Sequence, residues 1–196
     1  MKHPSIRELY DYWDKQRGMR AAPDRADIEP GAIRRLLADT FIVAFDEPAG
    51  HPFRLAGTRV CAAFGGELKG IAFLDMWGPE SQPLVRDLVT VVAQECVGVV
   101  ASARAETSEG SHLEFEMVML PLRHRGHTDA RILGALAPTE APYWFGVSAL
   151  GPLALGTIRF LGIDHRAPIQ PASHVPTSQP TGRIQHGFVV YNGGRP

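Results

Sequence analysis

The sequence predicts an α+β fold: a five-stranded antiparallel sheet with helices on one face, preceded by an N-terminal amphipathic helix. Three observations lead there. Apolar residues recur at helical spacing at the start of the chain and again between 84 and 96. Two runs rich in β-branched and aromatic residues, 41–45 and 53–56, are separated by the turn residues Asp46, Pro48 and Gly50. Between 99 and 137, three strand-like runs are joined by short polar turns. A hairpin and a three-stranded meander separated by helical segments give the antiparallel sheet.

The first helix follows from Ser5 and Glu8, which have the spacing of a capping box, and from Ile6, Leu9, Tyr10 and Trp13, which form one apolar stripe. Gly18 is its expected stop. That stripe must pack either on the chain's own sheet or on a second copy, so these four residues are the candidate dimer interface. A second, short helix is expected over 27–37, with Pro30 in its first turn. The strands 41–45 and 53–56 follow, then a helix from Thr58 to Phe64 that stops at Gly65 and Gly66, and a loose stretch to Trp77. A longer helix runs from about Pro79 to Val97, with Leu84, Val85, Leu88, Val89, Val92 and Cys96 at helical spacing. The meander strands are 99–107, 112–122 and 131–137. In the middle one, Leu113, Phe115, Met117 and Met119 share a face, while Val118 and Leu120 make the opposite face apolar and in need of a cover. The first helix is the candidate for that cover. The domain bounds are a helical extension over 1–38, the sheet domain over 39–160 and a flexible tail over 161–196, rich in Pro, Ser, Thr, Gly and Gln.

Composition narrows the function. The 196 residues carry a formal net charge of −1, which provides no field for nucleic acid or an anionic membrane, although local basic patches are compatible with it. No apolar run is long enough for a membrane span, and the start of the chain has no secretory signal, so the expected location is the cytoplasm. Cys61 and Cys96 form no CxxC pair and read as small buried residues.

The segments YDYWDKQRG at 10–18, PDRADIEPGAIRRLL at 23–37, FRLAGTRVCAAFGGELKGIAFLDMW at 53–77, LEFEMVMLPLRHRG at 113–126 and ARILGALAP at 130–138 together resemble a bacterial subfamily of PAS domains. The resemblance runs from Tyr10 to Trp144 and leaves out the tail. It implies a PAS-like sheet and a non-catalytic sensory or regulatory module that acts by protein–protein interaction, by dimerisation, or by holding a small ligand between sheet and helices. It implies a protein signalling partner, because no effector domain is attached. PAS domains can hold haem or flavin; here residues 58–97 offer no His and only Cys61 and Cys96, so the cofactor stays unknown.

Few residues suggest chemistry. Walker A, GxSxG, HExxH and CxxC signatures are absent. His124 and His127 lie among Arg123, Arg125 and Arg131, which would repel a cation, so no metal is expected. Phe64, Phe73, Trp77, Phe115, Met117 and Met119 either wall an apolar cavity or fill a core. Arg54 is exposed in one strand register. In the other it points at the cavity as a ligand-binding residue and needs an anion. An alternative reading is an enzyme of cone-shaped α+β type using Arg54, His112, Glu114 and Glu116, with the carboxylates in acid–base roles.

Overall fold

A computed structural model of the chain describes residues 1–161, apart from the side chains of residues 128 and 129, and the strand backbones at 183–185 and 188–190. The elements are α1 (Pro4–Arg17), a 3-10 turn (Arg25–Asp27), β1 (Thr40–Ala44), β2 (Phe53–Ala56), α2 (Thr58–Ala63), a second 3-10 turn (Phe73–Met76), α3 (Gln82–Gln94), β3 (Gly98–Glu106), β4 (His112–His124), β5 (His127–Pro138) and β6 (Ala154–Leu161). β7 (Arg183–Gln185) and β8 (Phe188–Val190) form a separate two-stranded pair. The tail expected over 161–196 otherwise lies outside the described residues.

The main sheet is antiparallel and has six strands rather than five, in the order β2-β1-β5-β4-β3-β6. The added strand, β6, does not alternate cleanly, for a physical reason. Val99 faces Phe160 and Ala101 faces Ile158, but Ala103 faces Leu155, so the register shifts across Gly156 and Thr157. Leu155, Ile158 and Phe160 therefore all reach the core from an uneven spacing.

The pleat of β4 builds two cores. Phe115, Met117 and Met119 pack with α2, α3 and the 73–76 turn. Val118, Leu120 and Leu122 point the other way and meet Ile6, Leu9 and Trp13 of α1. The face that needed a cover receives it from α1, so helices lie on both faces of the sheet. Ile6 and Leu9 are fully buried, Trp13 nearly so, and the Trp13 Nε1–H donates to the Pro121 carbonyl at 2.8 Å. Of the two places open to this stripe, the chain's own sheet is the one occupied. Tyr10, half-buried at the margin, stacks on Trp13 with centroids 6.1 Å apart.

Two local expectations are corrected. The helix expected over 27–37 is instead a series of tight turns: Ile33 N–H donates to Pro30, Leu36 to Ile33 and Asp39 to Leu36, all i to i−3. Gly31, a poor helix former, lies within that run, and Ile28, Ile33 and Leu36 still reach the outer core. The Ser5/Glu8 capping box does not form. Pro4 starts α1 two residues earlier, and His3 is the cap, its Nδ1 accepting from Ser5 N–H at 3.2 Å.

Candidate functional site

Between the sheet and α2/α3 lies the place where a ligand cavity was expected. Phe73, Trp77, Phe115, Met117 and Met119 are all there, each at most 3% exposed, and Phe64 packs against them half-buried. The structure brings these six side chains together. Missing from the sequence grouping are Phe41 and Phe53, whose rings stand 5.8 Å apart and lie 5.5 and 5.6 Å from Phe73, while Phe73 in turn meets Trp77 edge to face at 5.8 Å. These side chains fill the space as a core does.

Arg54 does not join this group. Along β2, Phe53 pairs with Val43 and Leu55 with Ile42, so Arg54 is the extra residue of a bulge and points to solvent. The four residues of the enzyme alternative are not brought together. Arg54 sits on β2, three strands from β4, which carries His112, Glu114 and Glu116. Glu116 is engaged at the start of the chain: it accepts the backbone N–H groups of Lys2 at 2.9 Å and His3 at 2.6 Å. Glu114 lies 4.0 Å from Arg104, and His112 is exposed opposite Glu106. Among the described residues, no three His, Cys, Asp or Glu form a group able to hold a metal.

A groove of about 590 Å³ opens on the opposite face of the sheet, over the half that α1 leaves bare. Lys2, His3, Ser102, Glu114, Thr157 and Arg159 are among its walls. The outward polar residues of β4 signalled an uncovered face in the sequence. The pairing of Ser102 with Thr157, whose hydroxyls lie 3.0 Å apart, depends on β6 and was not legible there.

One buried ionisable group was also missed. His51 is wholly buried at φ +61°, stacked on Phe45 at 5.3 Å, and its Nδ1 accepts the Asp46 N–H at 3.2 Å. That bond assigns the proton to Nε2, which is buried without a partner among the described residues, as is Trp77 Nε1. Burial holds the imidazole below its ordinary range; Arg86 acts in the same direction, and Glu47 and Asp46 partly oppose it. The unfolded chain therefore takes up the proton more readily than the folded one. Stability is full above about pH 6.5, the unperturbed value, and falls as pH drops toward the lower folded pKa. Melting temperature followed from pH 7.5 to 5 should show that loss. In His51→Asn, which tolerates the left-handed backbone, the slope should be shallower; an unchanged slope would remove His51 from the account.

The PAS domain family model matches residues 1–137. No curated protein matches the chain. Among solved structures, the Rhodobacter sphaeroides LOV protein aligns with a TM-score of 0.42 and 13% identity over 54% of this chain. The alignment spans 61% of that protein's length. Among the described residues, no helix is long and apolar enough to cross a membrane. With 137 of its 196 residues matched and an antiparallel sheet flanked by helices in place, the chain belongs to the PAS domain family.

Proposed function

We propose that the protein is a non-catalytic regulatory PAS module that works in the cytoplasm by docking a protein partner rather than by sensing a small ligand in its core. The observation that carries this reading is the packing of Phe73, Trp77, Phe115, Met117 and Met119: the residues that would wall a ligand pocket are spent on one another. The dispersal of Arg54, His112, Glu114 and Glu116 argues against catalysis, since acid–base chemistry needs convergent groups. With Ile6, Leu9 and Trp13 committed to their own sheet, a homodimer through the α1 stripe would have to exchange α1 between copies. A different protein as partner is the simpler reading.

Native mass spectrometry of the full chain purified from its own host tests the proposal. The expected spectrum shows the polypeptide mass alone, matching the denatured mass. A retained small molecule, lost on denaturation, would replace docking with ligand sensing.

A further inference from the structure

The side chains that turn away from both cores include one group with a shared chemistry. At one end of the sheet, cationic residues follow one another across neighbouring elements. Arg25 stands in the 3-10 turn that packs on β4, and His124 ends β4. Arg125 makes the β4–β5 turn at φ +53°. Arg131 of β5 pairs with Leu122 on one side and Ala44 on the other. Arg54 is the bulged residue of β2, beyond β1. Ala44, small and buried, is all that β1 places beside Arg131, which leaves room above it for two long side chains.

The described residues give the group little counter-charge. Among the described residues, no carboxylate pairs with Arg25, Arg54, Arg125 or Arg131. Arg25 and Arg131 donate to the backbone carbonyls of Ile28 and Ala130. Among the described side chains beside Arg25, Asp24 is taken by Arg20 at 3.3 Å and Arg123 at 3.9 Å, and Asp27 by Arg20 at 2.7 Å. Burial and the neighbouring cations act on these groups together. Arg131 is depressed by burial and then by Arg54 and Arg125; His124 is depressed by desolvation and then by Arg131, Arg125 and Arg25. Like charges side by side on a sheet cost stability, so folding alone gives no reason to gather them.

We propose that Arg54, Arg125 and Arg131, flanked by His124 and Arg25, form the docking surface for an acidic segment of a protein partner. This rests on the reading of the chain as a partner-binding module. From β2 to β4 the stripe covers three strand spacings, about 14 Å. Three carboxylates on one face of an extended segment, at i, i+2 and i+4, span roughly 13 Å. A duplex nucleic acid would need a longer field, and here Asp24 and Asp27 stand at its border.

The probe is a fluorescein-labelled octa-glutamate peptide, followed by anisotropy with the full chain. Binding at 50 mM salt should weaken severalfold at 200 mM. The double variant Arg54→Gln/Arg131→Gln should bind at least tenfold more weakly, while its melting temperature stays equal to or rises above that of the parent. A control with the same change in net charge elsewhere, Lys15→Gln/Arg104→Gln, should bind as the parent does. No binding by the parent, equal loss in the control, or tighter binding of a DNA duplex than of the peptide would each overturn the proposal. These failures are separate from that of the underlying reading, which a retained small molecule would sink whatever the peptide does.

Discussion

Trp13→Ala is expected to lower stability by about 3–5 kcal/mol, the cost typical of removing a buried tryptophan. For a domain of this size, that is a fall in melting temperature on the order of 10 °C. The change empties the space between α1 and the sheet and leaves the Pro121 carbonyl without the indole N–H that it accepts at 2.8 Å. It also removes the ring on which Tyr10 stacks and over which the Arg17 guanidinium lies at 5.4 Å. Trp13→Phe keeps most of the apolar volume and loses the hydrogen bond, so it should cost closer to 1 kcal/mol for that bond. Urea unfolding followed by circular dichroism separates the two. The same experiment distinguishes a core tryptophan from an interface one. In a core role, the melting temperature of the parent is independent of protein concentration, and Trp13→Phe has the parent's mass by light scattering. In an interface role, the variant would halve its mass while its secondary structure melted much as before.

The contrast between these outcomes marks where sequence reasoning reached its limit. The spacing of Ile6, Leu9, Tyr10 and Trp13 declared a buried stripe, and Val118 and Leu120 declared a sheet face without a cover. Both features are properties of single elements, so periodicity finds them. That the two meet within one chain depends on the path of residues 18–39, which periodicity does not describe. The aromatic group was legible for the same reason: Phe115, Met117 and Met119 alternate on β4, and their partners were identified by size. Whether that group encloses a cavity or fills one is a matter of volume, and only packing decides it. Arg54 shows the opposite failure. Strict alternation offered two registers, and the bulge opposite Ile42 and Val43 selected exposure by inserting an extra residue. β6 escaped notice through a similar shift. In both strands the departure from a period of two lies in the pairing partner, which a single sequence does not display.

Gly57→Ala is the second large effect expected, and it tests how β2 and α2 are held to the rest of the domain. Gly57 has an ordinary φ of −71°, so its backbone does not require glycine. Space does: a Cβ built there would lie inside contact distance of the Leu37 and Ala38 carbonyl oxygens. Neither oxygen can yield easily. The Gly57 N–H donates to Thr40 at 2.8 Å, and the Arg59 and Val60 N–H groups both donate to Ala38, at 2.9 and 3.3 Å. Beside them the buried Asp39 carboxylate takes two hydrogen bonds of 2.6 Å from Arg59. Admitting a methyl group means parting one backbone segment from another, so the cost should reach the upper end of overpacking, about 3 kcal/mol. Two companions give the comparison its meaning. Gly18→Ala, at φ +54° with open space around it, should cost about 1 kcal/mol from backbone strain alone. Gly134→Ala would press on the Phe41 ring, a side chain, so adding Phe41→Leu should recover part of the loss. No such recovery is expected for Gly57→Ala with Leu37→Ala, because the obstacle is a backbone oxygen that the second substitution leaves in place. Chemical denaturation of the single and double variants measures each term. Recovery in the Gly57 pair would show that the 37–40 segment can move away, and that β2, with Arg54 on it, is less firmly placed than its hydrogen bonds indicate.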